Sequence, residues 1–111
     1  WGVSTLNPFE IIEIAVTRQP TRREGSAPAF FPAERITRAE AVAGYTTQAA
    51  AAAWRSADTG SLAPGKYADL IVLDRDIFTC DTADIGETEV LLTLLAGHTV
   101  HRSADFHGAE A

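Results

Sequence analysis

The feature that most restricts the fold of this chain is a short strand that is apolar on both sides. Residues 68–73 read ADLIVL, and alternate residues of an extended chain point to opposite faces of a sheet. Apolar residues on both faces are typical of a strand in a sheet that is covered on both sides. The preceding residues 63–66 read APGK, with Pro and Gly at the two central positions of a type II turn. We therefore predict a turn that leads into a strand buried on both faces.

Two helices are predicted upstream of this strand. Asn7 can cap the first, and the proline after it suits a first helical position, so we predict a helix over residues 8–18. Thr37 and Glu40 have the spacing of a capping box, and the alanine-rich sequence that follows predicts a second helix over residues 38–54. Five residues of the second helix recur at helical spacing and are expected to form its packing face: Ala41, Tyr45, Gln48, Ala49 and Ala52.

Residues 19–35, between the two helices, are predicted to form a long loop. They hold three of the five prolines and a glycine. Loops longer than about a dozen residues are uncommon in compact domains, and they often cover a functional site or belong to a larger assembly. Phe30 and Phe31 lie in this loop, and we expect another surface to cover them.

The sequence after the buried strand predicts a β-hairpin. Residues 88–102 read TEVLLTLLAGHTVHR, which indicates strands at about 89–95 and 98–102 with the turn at Ala96-Gly97. The predicted order is therefore helix, loop, helix and three strands. This order is typical of an α+β fold.

Composition excludes several classes of protein. The 111 residues suit one domain, and no apolar run is long enough to cross a bilayer, so no membrane partner is expected. The net charge is −6, and residues 61–111 hold nine acidic residues against three basic ones, which disfavours nucleic-acid binding. A single cysteine, Cys80, rules out an internal disulfide framework and favours a cytoplasmic location.

Three aspartates after the buried strand are the first candidate site. Asp74, Asp76 and Asp81 suggest a calcium loop, but Phe78 and Thr79 stand where an EF-hand requires an oxygen ligand and then a glycine. Acidic residues at the exit of a strand more often cap the following turn or face solvent. We therefore expect turn caps here and no metal site.

Histidine and cysteine offer no stronger site. His98 and His101 are three apart on a predicted strand, which places them on opposite faces, so they are not expected to bind one ion. His107 lies in the C-terminal tail, and Cys80 has no histidine near it in sequence. From the residues alone we predict exposed histidines and an inert thiol, and we find no nucleophile with its base, no metal set and no cofactor loop.

Four stretches together resemble one enzyme superfamily, and they follow one another along the chain in the order that the superfamily has. GSLAPGKYADLIVLDRDIFT, residues 60–79, resembles the segment by which amidohydrolase-superfamily enzymes pass from the last barrel helix into a small β-sandwich. LLTLLAGHTVHR, residues 91–102, resembles the closing hairpin of that sandwich, and TRAEAVAGYTTQAAAAAW, residues 37–54, resembles the preceding helix. WGVSTLNPFEIIEIAVTR, residues 1–18, is similar to the amidohydrolase family 3, or YtcJ-like, branch.

The resemblance implies an architecture. The chain would be an α+β fragment, with the last helices of a TIM-type (β/α)8 barrel followed by strands of the small composite β-sandwich. Residues 1–59 would close the metal-dependent hydrolase barrel, residues 60–104 would form sandwich strands, and residues 105–111 would be a tail. The aspartates of the quoted stretch would then lie on the surface of the connection between the two domains.

The resemblance also implies a chemistry that this chain does not hold by itself. Such enzymes use a divalent metal, with zinc as the expected ion, to activate water against a C–N bond that is amide-like but not peptidic. Their metal ligands would precede this chain, which begins just after the expected last aspartate ligand. We therefore expect no metal and no catalytic residue here, and an inactive fragment. Trp1, Gly2 and Val3 would lie beside that aspartate, either as substrate-pocket wall or as packing at the barrel mouth.

Two kinds of partner follow from the resemblance. The intact enzyme would bind a small amide-like molecule, whose identity the sequence does not specify. The fragment would expose apolar residues such as Ile71 and Leu73, so it should bind the missing N-terminal part of the same protein or self-associate. The alternative is a stand-alone α+β module with a binding or assembly role and no catalytic activity.

Overall fold

Helices precede a small antiparallel sheet in the computed structural model, which describes residues 5–108 and confirms the predicted α+β class. The described elements, in chain order, are α1 (Pro8–Thr17), a 3-10 helix (Pro32–Glu34), α2 (Arg38–Tyr45), α3 (Thr47–Ala52), β1 (Leu70–Leu73), a second 3-10 helix (Thr82–Glu87), β2 (Val90–Leu95) and β3 (His98–Arg102). Within these residues, no helix is both long and apolar enough to cross a membrane.

The described residues form two compact units, and each is discontinuous in sequence. The first unit consists of residues 5–45 and Asp76–Thr88, and the second consists of Thr46–Arg75 and residues 89–108. The domain limits expected from the resemblance are residues 1–59, 60–104 and 105–111. They stay a prediction.

Helix α1 organises the first unit. The Asn7 side chain accepts a hydrogen bond of 3.0 Å from the Phe9 N–H, as the cap prediction requires. The helix ends one residue before the predicted limit, because Arg18 adopts a left-handed conformation (φ 58°) and its N–H bonds to the carbonyl of Ile14. Its buried residues include Phe9 and Ile12, and it packs against the Thr82–Glu87 helix and against α2. The Thr82–Glu87 helix is absent from the sequence-based expectations.

The single helix predicted over residues 38–54 is wrong, because the structure divides it at Thr46. The capping box is confirmed: the Thr37 hydroxyl accepts from the Glu40 N–H at 3.2 Å, and the Glu40 carboxylate accepts from the Thr37 N–H at 2.7 Å. Thr46 then leaves the helical region (φ −121°, ψ −93°). Helical spacing cannot be carried across such an interruption. The expected packing face therefore fails: Ala41 is buried as predicted, whereas Tyr45 is 47% exposed and Ala50 is buried instead.

The long loop over residues 19–35 is confirmed apart from the single turn of 3-10 helix. Its start is tied to Phe30, whose N–H donates to the Arg18 carbonyl at 2.8 Å and whose carbonyl accepts from the Arg18 guanidinium at 2.9 Å. The rings of Phe30 and Phe31 pack edge to face with centroids 4.4 Å apart. Both side chains are largely exposed, so the covering surface expected for them is not found among residues 5–108.

The second unit contains the sheet, in which the order is β1-β2-β3 and both pairings are antiparallel. The predicted type II turn is confirmed by the positive φ of Gly65 (89°) and by the bond from the Lys66 N–H to the Ala63 carbonyl. The predicted hairpin turn is also confirmed, with positive φ at both of its central residues. Asp69, next to β1, accepts a 2.7 Å hydrogen bond from the Ala96 N–H, and this bond fixes the hairpin turn against the start of β1.

The expectation that β1 is buried on both faces is wrong for this chain. Ile71 is 47% exposed, and on the outer strand β3 Val100 is 59% exposed. The reason is that the described residues leave the face of β1 that carries Ile71 without a covering layer. Apolar residues of the sheet therefore remain in contact with solvent.

Gly60 provides a test of packing in the second unit. Its φ is +87°, and a Cβ added there would lie 2.5 Å from the Cβ of Ala50. We predict that Gly60→Ala lowers the free energy of unfolding by on the order of 2 kcal/mol, since strain and overpacking add. Denaturant unfolding followed by circular dichroism measures this.

Two glycines serve as matched controls. Gly65→Ala places a Cβ in open space at a similar φ (+89°), so it should show the strain alone and cost less. Gly44→Ala, inside α2 with open space around it, should stabilise by about 0.5–1 kcal/mol. Equal effects of the alanines at Gly60 and Gly65 would contradict the close approach to Ala50.

Candidate functional site

The residues predicted to line a substrate pocket, Trp1, Gly2 and Val3, lie outside the described residues. Their role stays a prediction. In the described part of the chain, no group of three or more His, Cys, Asp or Glu side chains could hold a metal ion. Cys80 is a free, half-buried cysteine.

The three aspartates after β1 accept hydrogen bonds from backbone N–H groups, and two of them cap turns as the sequence predicts. In the second unit, Asp74 accepts from the Glu89 N–H at 2.9 Å and pairs with Arg75 at 2.7 Å. The Arg75 bond is the largest cause that lowers the pKa of Asp74. In the first unit, Asp76 and Asp81 each accept from the backbone N–H two residues later, at 2.8 and 3.0 Å. The carboxylates of Asp76 and Asp81 therefore cap turns, whereas Asp74 bonds to a backbone group 15 residues away.

The histidines are exposed, as predicted, but the expectation that His98 and His101 lie on opposite faces is wrong. The register of β2 and β3 shifts by one residue, so that His98 is opposite Leu95 and His101 is opposite Thr93. Because Leu95 and Thr93 are two apart on β2, both histidines lie on one face of the sheet. The bulge could not be read from the sequence. His101 Nε2 lies 3.2 Å from the carbonyl oxygen of Val90.

The first unit contains a polar cleft that the sequence does not reveal. It has a volume of about 240 Å³ and is bounded by α1, by the loop after α1 and by the start of the Thr82–Glu87 helix. Glu13 and Thr17 contribute from α1, Arg22 and Ser26 from the loop, and Thr82 from the 3-10 helix. The cleft is lined by carboxylate, guanidinium and hydroxyl groups, so it is the candidate site.

Glu13 is the unusual residue of this cleft, because this acidic residue is only 3% exposed. One carboxylate oxygen accepts a 2.7 Å hydrogen bond from the Gly86 N–H. Burial is the largest cause that raises the pKa of Glu13 above its ordinary value. The Gly86 bond and Arg22 lower it, whereas the charges of Glu87 and Asp84 raise it further.

Two arginines of the loop bind the acidic 3-10 helix. Arg22 pairs with Asp84 at 2.6 Å, and Arg23 pairs with Glu87 at 3.1 Å. Arg23 also lies 3.6 Å from Glu10 of α1. The side chains of both arginines are about 60% exposed or more, so solvent screens both pairs and each contributes little to stability. Together they hold the loop over the cleft.

This cluster was missed because each member has an ordinary sequence context. Glu13 adjoins Ile12 in an apolar helix and could have been recognised as a carboxylate on a buried face. Arg22 and Arg23 look like a small loop patch, and their partners are more than sixty residues away in sequence. The arrangement has carboxylates, guanidiniums and hydroxyls, but it does not place a nucleophile against a base. These groups are suited to binding a charged molecule.

The buried carboxylate makes stability depend on pH. A carboxyl whose pKa is raised by folding binds its proton more tightly in the folded state, so its contribution to stability is full below the ordinary pKa of 4.5 and is lost as pH rises through the folded value. Glu13→Gln removes this loss and can still accept the Gly86 N–H. We predict that the variant gains stability relative to the wild type as pH rises from 4.5 to 7, measured by urea unfolding.

Glu34→Gln is the matched control, since it changes an exposed glutamate in the Pro32–Glu34 helix. Its stability relative to the wild type should not follow the same trend. A Glu13→Gln variant that loses stability relative to the wild type as pH rises would contradict the raised pKa.

Comparison with known proteins identifies the family. The model of the amidohydrolase family matches residues 1–101. The N-substituted formamide deformylase of Arthrobacter pascens is 40% identical over 93 residues, which are 84% of this chain and 16% of that protein. The protein LONG AFTER FAR-RED 3 of Arabidopsis thaliana is 34% identical over 101 residues, which are 91% of this chain and 17% of that protein.

The matches also show how much of each relative this chain covers. It spans about a sixth of the length of the curated relatives it matches. No solved structure gives a significant match. Because the family model covers nearly the whole sequence and a relative is 40% identical over most of it, this chain belongs to the amidohydrolase family.

Proposed function

We propose that the chain is the C-terminal portion of a metal-dependent amidohydrolase that hydrolyses C–N bonds, other than peptide bonds, in small amide-like molecules. The match of residues 1–101 to the amidohydrolase family carries this proposal. The deformylase relative supports the class of bond, since its name describes removal of a formyl group from an N-substituted formamide. A cytoplasmic location is part of the proposal and is supported by the single, free Cys80.

The architecture of the parent is also part of the proposal. The three α-helices would be the last helices of a TIM-type barrel, and the sheet would belong to the small composite β-sandwich. The order of helices before strands supports this assignment. The chain covers about a sixth of each relative, which supports its being a piece of a longer protein. The pocket role of Trp1, Gly2 and Val3 belongs to the same proposal.

The divalent metal, with zinc expected, belongs to the parent. When bound, it would supply an activated water for attack on the amide carbon. The described residues do not fit a metal site, since they contain no group of three suitable side chains. We therefore assign the metal ligands to the rest of the longer protein and expect the 111-residue chain to lack turnover.

The decisive experiment measures hydrolysis by the longer protein. We expect it to release amine from a small N-substituted formamide, to lose this activity to the uncatalysed rate after chelation, and to regain it with Zn²⁺. The 111-residue chain, assayed at the same molar concentration, is the control and should remain at the uncatalysed rate. Activity that survives chelation would contradict the proposed metal dependence. Turnover by the 111-residue chain would contradict its proposed inactivity.

The remainder of the same protein, or a second copy of this chain, is the proposed partner of the sheet. Leu95 and Val100 expose more than half of their surface, and β1 and β3 both have an unpaired edge in the described sheet. Unpaired edges with apolar residues favour pairing with a further strand. Without such a partner, the apolar side chains of the sheet stay in contact with water.

Self-association of the isolated chain tests this partner assignment. We predict dimers or larger species in sedimentation velocity at micromolar concentration, because the exposed sheet residues favour association. Replacing Leu95 and Val100 with lysine should shift the distribution towards monomer. Leu62→Lys, which changes an exposed leucine outside the strands, should not. A wild-type chain that is monomeric and well folded at all concentrations would contradict the proposal.

A further inference from the structure

The bend formed by Phe30 and Phe31, called here the aromatic bend, presents two rings to solvent. The two residues are 68% and 62% exposed, and their rings pack edge to face. Large apolar side chains that are exposed one by one are common on protein surfaces. Two neighbouring rings in contact form a continuous apolar patch instead, and such patches often mark an interaction site.

The aromatic bend is held to the C-terminal end of α1. The Phe30 N–H donates to the Arg18 carbonyl at 2.8 Å, and the Arg18 guanidinium donates to the Phe30 carbonyl at 2.9 Å. The same guanidinium lies 6.0 Å from the centroid of the Phe30 ring. Phe31 has a positive φ of 48°, a conformation that is costly for a large side chain. Beyond the bend, the Arg35 guanidinium donates to the Thr17 carbonyl at 3.0 Å. These contacts hold both rings in an exposed position.

The size of the patch indicates what kind of partner can cover it. A phenylalanine side chain buries roughly 200 Å², so at these exposures the two rings offer on the order of 250 Å². A stable complex of two separate chains buries roughly 800 Å² on each partner. The two rings are therefore too small to hold a separate protein by themselves. A contact within one chain needs less area, because the covalent connection gives the partner a high local concentration.

The rest of the longer protein is the partner that meets this condition, and this step rests on the proposed function. The chain covers 16% and 17% of its two curated relatives, so more than four-fifths of each lies outside the matched stretch. We propose that the aromatic bend docks into an apolar recess on the rest of the same longer protein. The bend then anchors the first unit through a surface that is distinct from the sheet of the second unit.

Hydroxyl-radical footprinting, read by mass spectrometry, tests this docking. It measures the oxidation rates of Phe30 and Phe31 in the 111-residue chain and in the longer protein. We expect fast oxidation in the 111-residue chain and, in the longer protein, rates as low as that of Phe9, which is 6% exposed. Equal rates at Phe30 and Phe31 in the two proteins would overturn the proposal. Protection that grows with the concentration of the 111-residue chain would identify a second copy as the occupant, and this result would also overturn it.

A substitution at the bend provides a second measurement. Phe31→Gly removes one exposed ring and relieves the positive φ, so it should not lower the thermal unfolding midpoint of the 111-residue chain. In the longer protein the same change should lower the midpoint, because the docked ring loses its contacts. Glu34→Gln, at an exposed glutamate in the 3-10 helix that follows, is the control and should leave both midpoints unchanged. A longer protein whose midpoint does not fall with Phe31→Gly would contradict the docking.

Neither measurement depends on turnover, so docking and hydrolysis can fail separately. Protected rings in a longer protein without activity would support the docking and contradict the proposed hydrolysis. Accessible rings in an active longer protein would contradict the docking and leave the hydrolysis supported.

Discussion

The first unit depends on one buried hydrogen bond, from the Gly86 N–H to the carboxylate of Glu13. It joins α1 to the Thr82–Glu87 helix across 73 positions of sequence. The approach is close enough that a Cβ at Gly86 would lie 2.5 Å from the Glu13 carboxylate oxygen, so a side chain at position 86 would displace that carboxylate. Ile85, the adjacent residue, is fully buried. Once these contacts place the 3-10 helix on α1, its acidic residues are in reach of Arg22 and Arg23.

Local chemistry explains which parts of the fold could be predicted. The cap of α1 by Asn7, the Thr37–Glu40 capping box and the turn at Gly65 each depend on residues within three or four positions, and each is confirmed. The hairpin turn at residues 96–97 is of the same kind. Features of this type depend on a few neighbouring side chains, so they can be predicted from a single sequence.

Long-range packing explains the errors. Alanine propensity favours one continuous helix, but propensity is a weak preference, and the backbone leaves the helical region at Thr46. The bulge that brings His98 and His101 to one face comes from strand pairing, not from the strand itself. The cleft beside Glu13 could not be predicted for the same reason, since its walls come from segments about seventy residues apart. Family membership, in contrast, was recognisable because several local stretches occur in one order.

The interleaving of the two units has a consequence for biosynthesis. The first unit lacks its closing segment until Asp76–Thr88 has left the ribosome, and the second has all three strands only once residue 102 has done so. The Thr82–Glu87 helix, against which α1 packs, is synthesised about seventy residues after α1. Isolated helices of ten residues are marginal in water. Stable folding of α1 therefore waits until the Thr82–Glu87 helix has been made and can pack against it.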